Sequence, residues 1–194
     1  MDTSLPDAGS EPPATPSLGP MLALRRVVVE LERHVAGAGW DAPLRIFALI
    51  RTAGALERDP SLAGQLPPDA VAAAAADPDH LTAVEQEGLP EAASLHDLLG
   101  QLAWPPSVDG AAVVVERVVV PPEVEARMPE DEQEALDWLQ AHPDRRDVRL
   151  AAATLRSGVH ASALRARDHD ADDKVAVGPD LAPGLTAAIA ATLE

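Results

Sequence analysis

The chain contains no cysteine and no tyrosine, a single lysine, one phenylalanine and three tryptophans in 194 residues. Without cysteine there are no disulfides, thiolate metal centres, iron–sulfur clusters or cysteine nucleophiles. The missing tyrosine removes one general acid or base, and so few rings cannot build a base-stacking platform. Positive charge is also scarce: 15 Lys and Arg stand against 32 Asp and Glu, for a formal charge of −17. Such a surface repels nucleic acid and anionic membranes over a Debye length of about 8–10 Å, so neither is an expected partner. No apolar run approaches the ~20 residues of a membrane span. Met1 to Pro20 has neither the basic start nor the apolar core of a signal peptide, and a cytoplasmic location is expected.

What is present reads as one domain over 21–194 behind a tail. Residues 1–20 carry Pro6, Pro12, Pro13, Pro16 and Pro20 among Ser, Gly and acids. That composition cannot bury enough apolar area to offset its ordering entropy, so a disordered tail is expected. Leu24, Val27, Val28, Leu31 and Val35 recur at helical spacing and predict a helix over 21–36 that stops at Gly37 and Gly39. Leu44 to Ile50 predicts a strand, although Phe47 to Leu56 also fits a helix. A short helix over 69–76, a strand over 80–86 and a helix opened by Ser94 follow. Ala111 to Val120 has valine at both parities, as expected of a central strand covered on both faces. An acidic helix over 129–141 is expected to bury Ala135, Leu136, Trp138 and Leu139. An edge strand over 174–177 and a last helix from Asp180 complete the chain.

The segment from Asp147 to Asp168 is the most legible. Its strand, turn, strand pattern predicts an antiparallel hairpin closed by Arg156, Ser157 and Gly158, with Gly158 in the left-handed conformation. Leu155 then faces Val159, Leu150 faces Leu164, Val148 faces Ala166 and Asp147 faces Arg167. The expected class is α+β: a single antiparallel or mixed sheet of about five to six strands with helices packed on it.

The same register sets Arg149 opposite Arg165, a like-charge pair that calls for a carboxylate or an anion between them. Arg149, Arg165, Arg167 and Arg156 are therefore candidates for binding an anion or an acidic partner. The internal alternative is pairing with the acidic helix, which carries Glu130, Asp131, Glu132, Glu134 and Asp137. His169 and Asp170 form a dipeptide that could ligate a metal if His160, His142 or His34 converged on it, but as a lone pair it reads as a solvated strand end. Asp168, Asp170, Asp172 and Asp173 resemble the start of a calcium loop, yet Asp173 stands where that loop needs Gly and Pro179 where it needs Glu. There is no Gly-x-Ser-x-Gly elbow, and Gly37-Ala38-Gly39 is better explained as a helix stop than as a phosphate loop.

Gly39-Trp40-Asp41-Ala42-Pro43, Phe47 to Ile50, Leu81 to Pro90, Ala103-Trp104-Pro105, Asp109-Gly110-Ala111, His142-Pro143-Asp144 and Gly178-Pro179-Asp180-Leu181 together resemble a family of conserved hypothetical proteins of high-GC actinobacteria. The resemblance spans about residues 22–193 and implies a cytoplasmic protein, with no catalytic residue to carry over. The expectation is a non-enzymatic protein-interaction or regulatory domain, without cofactor, that binds a protein partner or a second copy of itself. The alternative is a small ligand-binding or metal-dependent hydrolase-like protein with a site near His160, His169 and Asp170.

Overall fold

The computed structural model describes residues 18–194. The expected tail lies outside the described residues except at its end, where Leu18, Gly19 and Pro20 form the first turn of helix α1 (Leu18–Ala36). The helix thus starts three residues before the expected Met21: proline is tolerated in a first helical turn, where its missing N–H has no intrahelical partner to lose. Gly39 at φ 87° and Asp41 at φ 65° then turn the chain sharply into β1 (Arg45–Arg51). Both readings of the next segment are right in part, because the strand ends at Arg51 and α2 (Thr52–Arg58) begins at once.

A short 3-10 turn and α3 (Pro68–Ala76) lead to β2 (Leu81–Glu85). Helix α4 (Leu95–Gly100) is capped by Ser94, whose Oγ accepts from the Asp97 N–H at 3.1 Å. Next come β3 (Gly110–Val119), α5 (Pro122–Glu125) and α6 (Glu132–Ala141), the last capped by Asp131. The hairpin of β4 (Arg146–Leu155) and β5 (His160–Ala166) follows. Edge strand β6 (Ala176–Gly178) and α7 (Pro183–Ala191) close the fold. Helix α7 starts three residues after the expected Asp180.

The strands form one sheet in the order β2-β1-β3-β4-β5-β6, with every neighbouring pair antiparallel. The hairpin register is the expected one: Val148 faces Ala166, Arg149 faces Arg165 and Leu150 faces Leu164. Gly158 has φ 83°, and its N–H donates to the Leu155 carbonyl across the turn.

Strand alternation divides the core into two layers. Phe47, Leu49, Ala112, Val114, Ala151 and Ala153 face α1. Ile46, Ala111, Val113, Val148, Leu150 and Ala152 face α4 and α7. Valine at both parities of β3 is thus used twice, once on each face. Helix α6 packs less than expected, since Leu136 remains 47% exposed while Ala135, Trp138 and Leu139 are half-buried. Its acids are the reason: Glu134 and Asp137 flank the apolar positions and leave only a narrow stripe to bury.

Candidate functional site

The carboxylate required between Arg149 and Arg165 is Glu32 of α1, and among the described residues no acid of the acidic helix pairs with either arginine. Glu32 lies on the buried stripe of α1 at positions continuous with Leu24 and Val28, so the helix that seals this face of the sheet carries it there. Arg165 grips it with two bonds, Nε to Oε1 at 2.6 Å and Nη2 to Oε2 at 2.8 Å. Arg149 approaches the same carboxylate at 3.5 Å. All three side chains are at most 4% exposed. The ring of partners extends outward: Arg149 binds Glu116 at 2.8 Å and the Gly39 carbonyl, while Arg165 binds Asp170 at 3.1 Å and Asp172 at 2.7 Å.

Trp40 joins this network from the turn after α1. Its ring stacks against the Arg149 guanidinium, 4.4 Å from the centroid, and its Nε1–H donates to Asp170 at 2.8 Å. Arg167 approaches the same ring at 5.4 Å and forks onto both oxygens of Asp41 at 2.9 and 2.8 Å. The electrostatics follow these bonds. The Trp40 N–H and the Arg165 guanidinium hold the Asp170 carboxyl below the usual range; Arg165 does the same for Asp172, and Arg167 for Asp41. Arg165 itself is held firmly protonated, chiefly by Glu32. The network ties α1, β3, β4, β5 and the 167–174 loop together, and its inner charges are already paired.

The remaining candidates lie apart from one another. Arg156 is a latch for the chain end, donating to the carbonyls of Trp104, Pro105, Val108 and Leu193. His160 stands at the start of β5 and bonds the Gly158 carbonyl, whereas the exposed His169 lies beyond the other end of that strand and pairs with Asp168 at 3.0 Å. Asp170 and Asp172 of the calcium-like run are turned toward Arg165. Among the described residues no group of three or more His, Asp or Glu is arranged to hold a metal ion. Ser162 is fully buried, and its hydroxyl has no hydrogen-bond partner among the described residues, so no base activates it.

A cavity of about 430 Å³ opens on the opposite face of the sheet. Helices α4 and α7 form one wall, through Leu95, Leu99, Leu185 and Ala188; the segment after β3 forms the other, through Met128 and Leu139. The floor includes Leu150 and Arg117, and the polar side chains of the lining are His96, Arg117 and Glu125. This size falls within the roughly 300–1,000 Å³ of ligand sites, which are mostly apolar with a few polar groups. Leu181, 38% exposed, lines its mouth.

A family model described as PPA1309-like protein matches residues 24–194. The chain belongs to the PPA1309-like protein family. Neither the curated proteins nor the solved structures yield a match. The span matched to the PPA1309-like family starts inside α1 and runs through α7, so it contains Glu32, both buried arginines and every residue lining the cavity. The match bears out the expectation of a conserved protein family spanning nearly the whole of residues 22–193.

Sequence reading located the arginines of this PPA1309-like protein and missed their counter-ion. The available signal was a lone carboxylate inside the apolar stripe Leu24, Val28, Leu31 and Val35. The cavity left no comparable mark, because its walls come from four separated stretches of chain.

Proposed function

We propose that this protein is a cytoplasmic, non-enzymatic interaction domain of a high-GC actinobacterium, and that the groove between α4, α7 and the 120–141 segment is its docking site for an apolar segment of a protein partner. The groove carries the reading: at about 430 Å³ it has the size of a ligand site, its lining is mostly apolar, and it lies between helices on one face of the sheet. The arginine network supports it indirectly. The guanidinium of Arg149 is paired with Glu32 and Glu116 and that of Arg165 with Glu32, Asp170 and Asp172, which leaves neither open to an external anion.

A photo-reactive residue introduced at Leu181, with Leu22 on α1 as the control position, tests the proposal in the native host. Both leucines are exposed, so neither replacement disturbs the core. The expected outcome is one protein, cross-linked through one segment from position 181 and not from 22, with the adduct lost when Ala188→Trp fills the groove. Identical adducts from both positions, or none from position 181, would overturn it.

A further inference from the structure

The groove carries information about the chemistry of its occupant. Between Pro122 and Ala141 the sequence holds seven acids and one base, Arg127. Glu123, Glu125, Glu130, Asp131, Glu134 and Asp137 of this wall are exposed. On the facing wall, Asp97 and Asp180 are exposed next to the lining residues His96 and Leu181. The segments that form both walls of this apolar trough thus carry exposed acids, of which Glu125 lines the trough itself, in a molecule whose formal charge is −17. Arg117, on β3, is the arginine of the lining and lies outside the two acidic wall segments.

We infer that the groove receives a basic amphipathic helix of a partner protein. This rests on the interaction reading above and specifies its ligand. A helix presents apolar side chains at i, i+3, i+4 and i+7 on one face, which matches the mostly apolar lining, and its lateral positions come next to the wall segments. Lysine or arginine there is complementary to Glu125 of the lining and to the exposed acids of the wall segments, and the net negative field steers such a segment inward. An acidic or uncharged helix could bury the same leucines but would bring like charge, or none, next to the wall segments.

The probe is a labelled synthetic helix of about 18 residues with leucine on one face and lysine elsewhere, compared with its leucine/glutamate counterpart and with a leucine/lysine peptide of the same composition shuffled to destroy the face. Binding to the full chain is read by fluorescence anisotropy across salt. The amphipathic leucine/lysine peptide should bind at least about tenfold more tightly than either control and weaken about tenfold between roughly 0.05 and 0.5 M salt.

Two variants separate docking from bulk attraction. Leu181→Asp adds negative charge yet should weaken binding several-fold, because it spoils the apolar mouth. Arg117→Glu should tighten it several-fold, by exchanging the groove's cation for an anion. Both positions are exposed, and circular dichroism verifies that each variant is folded. Equal binding of the shuffled peptide, or no loss in Leu181→Asp, overturns the inference. Preference for the leucine/glutamate peptide overturns the basic partner while leaving the groove as a docking site. Failure of all amphipathic peptides to bind removes the docking reading itself.

Discussion

Replacing Glu32 with leucine is the most informative perturbation of this fold. The substitution keeps the volume near that of the original side chain and strips Arg165 of two hydrogen bonds, at 2.6 and 2.8 Å, and Arg149 of a 3.5 Å ion pair. Both guanidinium groups stay buried. Removing one partner of a buried ion pair costs about 3–5 kcal/mol, because the remaining charge is left uncompensated. Arg165 keeps Asp170 and Asp172, and Arg149 keeps Glu116, so the expected loss is at the lower end, about 3 kcal/mol. In a domain of this size that is roughly 6–12 °C in Tm.

The decisive comparison is the triple variant Glu32→Leu, Arg149→Met, Arg165→Met. It removes the buried charges together. The outer carboxylates can hydrate, Asp170 and Asp172 being 46% and 57% exposed, and Glu116 retains the Asp41 N–H at 2.7 Å. The triple variant should therefore be more stable than Glu32→Leu alone, since apolar replacement of a whole buried ionic cluster is often neutral or better. Chemical and thermal denaturation of the two variants measure this directly. A triple variant less stable than the single one would refute the argument and make the network a net source of stability.

Three further outcomes are expected. Asp170 and Asp172 have carboxyls lowered from the ordinary value, so the stability they contribute is complete above an unfolded-state pKa of about 3.9 and is lost as pH falls through their lower folded values; NMR titration should place both midpoints below that of an unfolded aspartate, and midpoints at or above it would contradict the assignment. Gly110→Ala should destabilise by about 1–3 kcal/mol, because a Cβ there would lie 2.6 Å from the Thr154 carbonyl oxygen and 2.7 Å from Leu155 Cδ2, and an unchanged Tm would show that β4 yields easily. Arg156→Ala should cost about 2 kcal/mol and speed hydrogen exchange near residues 104–108 and 190–194, where its guanidinium holds the carbonyls; unaltered exchange there would end the latch description.

The hairpin was readable because its information is local: a glycine that tolerates positive φ and alternating side chains fix its register over some twenty residues. The demand for negative charge between Arg149 and Arg165 was readable for the same reason. Its source was not, since the acidic helix that precedes the hairpin in sequence lies elsewhere, and the answering carboxylate is on the first helix. The strand-to-helix change at Arg51–Thr52 was ambiguous because one apolar run serves both elements. Leu136 was misjudged because helical spacing gives a face but not whether anything covers it. The groove is a product of tertiary assembly, bringing α4, the end of β3, α6 and α7 together without a motif in any of them.

The separation of 133 positions between Glu32 and Arg165 has a consequence during synthesis. At about 5–20 residues per second, α1 is made roughly 7–27 s before the strand that neutralises it. Through that interval its sticky stripe is interrupted by a full negative charge. The nascent helix is thereby discouraged from premature collapse onto other apolar segments, and the late arrival of two arginines determines when it can settle.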